Sequence, residues 1–492
     1  MFNDLRQFIA KAEEAGEVKH IEGADWNLEI GLITEVEASQ PSPRLLLFDR
    51  IKDYPPGYRV ASNLFSTPRR VALAFGLPED LAGMDLVRAM KARLDKGVRP
   101  IPPVVVKTGP VMENVFTGDQ VDILKFPTPW WRKGDGGRYI GTHAVTITRD
   151  PDEGWVNIAP QRVQVHNRNT ASIFMATGHH GDIMRRKYWA KGKGCPVAVS
   201  CGQEPLIFAA GEWPLPWGSS EFEFAGGLKE APIEVVKGVT TDLPIPATSE
   251  IVLEGELLPP EAGTVIEGPF GEWAGYYAGG ARPEPIFRVN AVMHRNNPII
   301  QGTLASVHPA VWTLGRHIWR SAVVWSELDR QVPGVQGVWV VGEAGANSMI
   351  AASIKQMYPG HAKQTAQLLN AVQATSLHIR YCIVVDEDID PSNLPELIWA
   401  IGTRTNPVDS IDIARFTRTS ETNPAVSPDK RQQGDFTHST ALIVACRPWH
   451  WRDKYAKATK SDAESLKEIR RKWSKVWLSQ DAPQPVSPRK KS

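Results

Sequence analysis

Glu267 and Glu272 flank a Gly-Pro-Phe-Gly step in EGPFGEWAGYY, residues 267–277, a stretch otherwise built of small and aromatic residues. An ionised carboxylate beside Phe270, Trp273, Tyr276 and Tyr277 is costly unless it meets a cation or keeps a proton. The pair reads either as a surface turn with solvated acids or as a proton-transfer site whose counter-charge lies elsewhere in the chain. In WVNIAPQRVQVHNRN, Asn157 offers an amide oxygen suited to a hard cation and Arg162 a guanidinium able to clamp a carboxylate. The same spacing also fits a strand with a surface ion pair. ATGHHGDIMRRKYW sets His179 and His180 between glycines, ahead of Asp182, Arg185, Arg186 and Lys187, as a loop feeding a basic helix start. Adjacent histidines there point to a metal or phosphate contact. In PWGSSEFEFAGGL, Glu221 and Glu223 share a face if the segment is extended, and one is able to ligate a metal while Gly226 and Gly227 permit close backbone approach. The plainer reading is a solvent-facing strand edge. Asp386, Asp388 and Asp390 alternate in IVVDEDIDP and read as structural caps or ion pairs.

The elements that must position these groups follow from pattern. Over residues 4–16, Leu5, Phe8, Ile9 and Ala12 keep helical spacing and Gly16 stops the run. Strand-like LLLFDRI and YRVASNLF follow, then helical LAGMDLVRAMKARLDKG, and the proline-rich 98–110 closes an N-terminal α/β segment, 1–110. Residues 111–308 alternate short β-rich runs (THAVTITRD, CPVAVSCG, EIVLEGELL, IFRVNAVMH) with Gly/Pro turns, which predicts a barrel or curled sheet interrupted by one helix around DIMRRKYWAKGK. A linker helix spans 309–328, and 329–458 alternates strands and helices as an α/β domain does. In 459–492, Ser461 and Glu464 form a capping-box pattern, and Leu466, Ile469, Trp473, Val476 and Trp477 make an apolar stripe that must be buried on the body or on another subunit. A polar, basic tail, 480–492, has no means to fold.

Composition narrows the function classes. At 492 residues the chain has length for about two to four domains, and 42% hydrophobic with 23% charged residues is ordinary for a soluble protein. A net charge of +1 supplies no field for nucleic acid or an anionic membrane. The first residues lack a signal-peptide core and no apolar run reaches about 18 residues, so a cytoplasmic protein is expected. Cys195, Cys201, Cys382 and Cys446 form no C-x-x-C pair and are expected to be reduced thiols. The 17 tryptophans favour aromatic-lined clefts or subunit contacts, though packing is the commoner use of a tryptophan. Dinucleotide and P-loop fingerprints, H-E-x-x-H and G-x-S-x-G are all absent.

Read in order, N-I-x-x-x-R-V-Q at 157–164, H-x-G at 179–181, S-E-F-E-F-A-G at 220–226, E-I-V-L-E-G at 250–255, E-G-P-F-G-E at 267–272, V-D-E-D-I-D at 385–390 and W-A-I-G-T-R at 399–404 resemble the UbiD-type, prenylated-flavin-dependent decarboxylases. The resemblance spans nearly the whole chain. It implies a multidomain α/β (α+β) protein: an N-terminal α/β segment, a central split β-barrel that binds the flavin, and a C-terminal α/β domain that makes a homodimer or larger homo-oligomer. It implies prenylated FMN, a divalent metal (Mn2+ or Mg2+) held by Asn157, His179 and Glu221, and a potassium ion nearby. His180 competes with His179 as ligand. Ile158, Gln161, Arg162, Gly178 and His180 would line the cofactor, which a flavin prenyltransferase would supply.

The same likeness makes Arg162, Glu267 and Glu272 a Glu–Arg–Glu catalytic network. In it Glu272 donates the proton, Arg162 orients the substrate carboxylate and Glu267 tunes the pair. The substrate would be an aromatic, heteroaromatic or α,β-unsaturated acid, bonded to the modified flavin before carbon dioxide leaves, in a reaction that is reversible. The sequence departs from the family in three places. Thr440 stands where many relatives carry a lysine, Gln161 where they often carry an aromatic residue, and 303–319 brings His308, Trp312 and His317 as pocket-lining or gating candidates. A plain FMN-binding reductase, for which Glu267 and Glu272 are dispensable, and a non-catalytic assembly subunit without cofactor are the competing expectations.

Overall fold

A computed structural model describes residues 1–304, 314–345, 347–375, 377–459 and 461–474. His308, Trp312, Val476, Trp477 and the basic tail lie outside the described residues. The chain divides into two compact units after Cys446.

The first unit opens with helix Leu5–Glu14, whose buried side chains are Leu5, Phe8, Ile9 and Ala12, the positions its periodicity picks out. Asp4 caps it, accepting from the Gln7 N–H at 2.8 Å. Strands Val18–Glu22, Leu45–Asp49, Arg59–Ser62 and Ile299–Gln301 form a four-stranded sheet, so a segment from far along the chain completes the N-terminal layer.

The central sheet has ten strands among the described residues, organised around the long strand Arg282–His294. Its path begins at Arg138–Gly141 and Val163–Val165 and ends at Val145–Arg149 and Val156–Pro160. Val156–Pro160 and Val163–Val165 thus lie near opposite ends of the path, yet only Gln161 and Arg162 join them in sequence. Two residues span about 10 Å at most, so the sheet has to curl until its ends meet. The result is a split barrel with Arg162 at the seam. The predicted central barrel, and the mixed α/β class as a whole, is the fold the chain adopts.

A five-stranded sheet follows, with Met349–Ile354, Tyr381–Asp386 and Thr437–Ala445 parallel and Val335–Val340 and Ile411–Arg418 antiparallel at its edges. Helix Leu314–Asp329 packs against helix Gly83–Asp95 and strand Val335–Val340. Asp386 and Asp388 are structural: both take the Arg404 guanidinium, at 2.9 and 2.7 Å, from the end of helix Leu394–Arg404. The four cysteines are buried and none forms a disulfide. Among the described residues no helix is long and apolar enough to cross a membrane.

Two sequence expectations are corrected here. The Glu221 segment is a helix, Glu221–Lys229, in place of an extended edge, because Phe222, Ala225 and Leu228 recur at helical spacing and all are buried. Gly226 and Gly227 do admit a close backbone, but it is the proline-rich segment: a Cβ at Gly227 would lie 2.4 Å from the Arg99 carbonyl oxygen. In the second unit, helix Ala463–Lys472 is capped by Asp462, which accepts from the Ser465 N–H at 2.8 Å, one residue after the expected Ser461. A carboxylate at that position bonds the orphan amide and complements the helix dipole, which a serine hydroxyl does less well. Leu466, Ile469 and Trp473 of the expected stripe are exposed among the described residues.

Candidate active site

Arg162 anchors the site. It is followed by strand Val163–Val165, and its Nε and one Nη donate to the two oxygens of Glu267 at 2.7 and 2.9 Å. Its other Nη donates to Glu272 Oε1. One guanidinium therefore clasps both carboxylates of the Gly-Pro-Phe-Gly turn, which favours the proton-transfer reading over solvated acids. Glu267 is fully buried and Glu272 only 7% exposed. A guanidinium has five N–H donors, of which these bonds use three, leaving two for a third anion.

The turn is seated by groups more than 100 residues away in sequence. Tyr139 OH donates to Glu267 Oε1 at 3.0 Å. Gln164 accepts from the Gly268 N–H at 2.9 Å and donates to the Gly136 carbonyl at 3.0 Å. Asp135 accepts from the Gly271 N–H at 3.3 Å, and burial pushes its carboxyl up to about 6. Gly268 sits at φ +81, the left-handed region, and a Cβ at Gly136 would stand 1.9 Å from the Gly268 carbonyl oxygen. Gly136→Ala is therefore expected to unseat the turn and cost about 1–3 kcal/mol, seen as a lower thermal midpoint. An unchanged midpoint would mean the turn is held by something else.

Burial pushes the Glu272 carboxyl above its ordinary value, outweighing the pull of Arg162. Burial works against the Arg162 charge, but the Glu272 and Glu267 carboxylates overcome it and hold the guanidinium protonated. The Phe174 ring is flanked by the guanidinium carbons of Arg162 and Arg282, each 4.0 Å from its centroid.

A cavity of about 460 Å³ opens beside this network, within the range of about 300–1,000 Å³ usual for small-molecule sites. Arg162 and Glu272 line it, as do Asn157, Ile158, Gln161, Gly178, His179, His180 and Glu221, while Glu267 stands behind Arg162. The sequence-derived candidates thus converge on one cavity. Asn157 lies on the edge strand Val156–Pro160 and is 2% exposed; its amide nitrogen donates to Thr148 Oγ1 at 3.3 Å, leaving the amide oxygen to accept. Glu221 accepts from the Ile158 N–H at 2.8 Å, and burial pushes its carboxyl up to about 8 in the absence of any neighbouring cation from the chain. Burial, then Arg418, lowers the His179 imidazole below its usual range and leaves it neutral. His180 begins helix His180–Ala190, with its ring edge-on to Trp155 and Trp217 at 5.4 and 5.3 Å between centroids. No three His, Cys, Asp or Glu side chains converge as a metal cluster among the described residues, so a metal here draws on the amide of Asn157 as well.

Thr440 is fully buried, donating to the Ile379 carbonyl at 3.1 Å, and so faces the core. His317 packs against Gly342 instead of lining the cavity. Trp273 of the turn lines it as well, as do residues the sequence reading passed over: Arg316, Arg320, His378 and Arg418. Arg418 reaches the Gly178 loop, 3.5 Å from where a Cβ on that glycine would sit.

The order of these elements is that of a known class of carboxy-lyases. Residues 9–90 match the N-terminal domain of the 3-octaprenyl-4-hydroxybenzoate carboxy-lyases, 104–308 their Rift-related domain and 314–445 their C-terminal domain. The chain belongs to the UbiD family. It is 33% identical over 425 residues to a pyrrole-2-carboxylic acid decarboxylase of Pseudomonas aeruginosa, covering 82% of this chain and 84% of that one. The closed form of the vanillic acid decarboxylase of Sedimentibacter hydroxybenzoicus superposes with a TM-score of 0.84 at 27% identity, over 98% of this chain and 100% of that one. An evolved dimeric form of the UbiD-class enzyme HmfF of Pelotomaculum thermopropionicum, in complex with prFMN, gives 0.78 at 26% identity, over 94% and 100%.

Proposed function

We propose that the chain is a reversible, non-oxidative decarboxylase of an aromatic, heteroaromatic or α,β-unsaturated acid that works with prenylated FMN. The observation that carries this reading is the Arg162–Glu267–Glu272 network, buried at the wall of a cavity. Arg162 uses its two remaining N–H groups to orient the substrate carboxylate. Glu267, bonded by Arg162 on both oxygens and by Tyr139, keeps the guanidinium in register. Glu272, whose burial favours its neutral form, donates its proton to the carbon that carbon dioxide has left and regains one from solvent. Bound prenylated flavin supplies the electron sink for the charge at that carbon. Phe174 and Phe270 restrict water around it.

The residues present fit the cofactor's metal and phosphate. Glu221 is a buried carboxyl without a cation, His179 a neutral imidazole and Asn157 a carbonyl-type oxygen, a mixed donor set suited to Mn2+ or Mg2+. Arg418, beside Gly178, would supply the positive charge toward phosphate that Thr440 does not. The aromatic setting of His180 favours His179 as the ligand. His179→Ala is accordingly expected to lose metal and flavin together and His180→Ala to keep both, read by metal analysis and flavin absorbance of purified protein. The reverse pattern would move the ligand by one residue. Exposed Tyr381, Trp399, Ile413 and Phe416 on the five-stranded sheet and its helix favour a homodimer through that face.

The test of the reading is the protein co-produced with a flavin prenyltransferase. The released cofactor should have the mass of a prenylated flavin, and carbon dioxide should appear in the headspace with an acid from an aromatic and heteroaromatic panel. Plain FMN and no carbon dioxide from any acid would return the chain to the binding-protein reading.

A further inference from the structure

Two cations of the cavity wall have no use in the mechanism above. Helix Leu314–Asp329 presents Gly315, Arg316, Trp319 and Arg320 to the cavity. Arg316 is ion-paired with Glu212. Arg320 lies one turn further on, half-buried at the cavity wall, and makes no ion pair or hydrogen bond among the described residues; burial, then Arg316, lowers it to about 10 against the weaker pull of Glu212. His378 also lines the cavity and packs on Trp273 at a tilt of 44°, with ring centroids 4.4 Å apart, and Trp273 directly follows Glu272 in sequence. His378 Nδ1 is buried without a hydrogen-bond partner. Burial, then Arg320, holds His378 neutral.

A half-buried guanidinium with no counter-ion among the described residues and a buried imidazole nitrogen with no partner among them line one cavity, and a single anion would serve both. We propose that Arg320 and His378 form a second anion subsite that takes a second carboxylate of the substrate, so that the enzyme prefers an aromatic or heteroaromatic diacid to the matching monoacid. This rests on the decarboxylase reading for the first carboxylate, at Arg162. An oxyanion at this subsite could also come from the flavin phosphate. That group is better served elsewhere, by the Asn157–His179–Glu221 set with Arg418 beside Gly178. The packing of His378 on Trp273 places the new subsite next to the proton donor's turn, where a substrate substituent would reach.

The test uses the flavin-loaded full chain and calorimetric titration of paired probes: pyrrole-2-carboxylate against pyrrole-2,5-dicarboxylate, and benzoate against benzene-1,3- and benzene-1,4-dicarboxylate. At least one diacid should bind about 10- to 100-fold tighter than its monoacid, the worth of a charge-assisted hydrogen bond. Arg320→Met should remove that ratio with the flavin content unchanged, Arg320→Lys should restore part of it, and His378→Phe, which keeps an aromatic ring against Trp273, should lower it in its own right. Absence of a preference for any diacid overturns the proposal. So does an Arg320→Met protein that loses flavin while the diacid-to-monoacid ratio holds, because Arg320 is then a phosphate contact. Diacid binding that depends on Arg320, with no carbon dioxide released from any acid, upholds the subsite and removes the decarboxylase reading instead.

Discussion

Glu272→Gln is expected to lower turnover by about 100- to 10,000-fold while the protein keeps its flavin and its thermal midpoint. The amide has the shape of the carboxyl and can still meet Arg162, but it has no proton of suitable acidity to give. The wild-type pH profile carries the sign of the same assignment. Burial raises the Glu272 carboxyl above its ordinary range, so at acid pH the group is protonated and competent. As pH rises through that raised value it ionises, and kcat should fall on the alkaline side. Turnover of Glu272→Gln near the wild-type rate would remove Glu272 from the role of acid, whatever the pH profile.

Arg162→Met should be the most damaging change to stability in the site. It leaves Glu267, fully buried, and Glu272, nearly so, without their shared cation. Removing one partner of a buried ion pair costs about 3–5 kcal/mol, and here two carboxylates lose the same partner. Turnover should vanish with it, because no other group in the network can orient a substrate carboxylate. Adding Glu267→Gln to Arg162→Met removes one stranded charge and should recover part of the thermal midpoint without recovering activity. Recovery of both would mean that Arg162 holds the turn and nothing more. An undiminished midpoint in Arg162→Met would show that the carboxylates are solvated in solution.

Local signals in the chain were enough for the elements that depend on local periodicity. The spacing of Leu5, Phe8, Ile9 and Ala12 identifies the buried face of the first helix because a 3.6-residue repeat is a short-range property. The alternation of short strands with Gly/Pro turns was enough for a curled sheet, though not for its strand order. That order depends on pairings such as Arg282–His294 with four other strands. The Glu221 segment was misread because alternating Glu and Phe imitate a half-buried strand, while the burial that decides the matter comes from packing. Asp462 displaced Ser461 as cap by a single position, a distinction that rests on backbone geometry.

The candidate site was legible in part for the same reason. Asn157, Arg162, Glu221, Glu267 and Glu272 carry chemistry that their types announce, and the resemblance put them in one list. Tyr139, Gln164 and Asp135, which seat the turn, have ordinary sequence surroundings and become visible only once Glu267 and Arg162, 105 residues apart, are in contact. Arg320 gave one faint signal: it is a cation four residues after another on a helix otherwise rich in apolar residues. Its lack of a partner among the described residues is a fact of three-dimensional packing.

The central claim is that this cavity exchanges a carboxylate for a proton at carbon. The most direct measurement runs the flavin-loaded protein in D2O with the acid panel and follows both carbon dioxide and the product by NMR. The expected result is one carbon dioxide per product molecule and one deuteron at the vacated carbon, with both lost in Glu272→Gln. A flavin-loaded protein that releases no carbon dioxide from any acid, or yields an oxidised product in place of a deuterated one, would contradict the account.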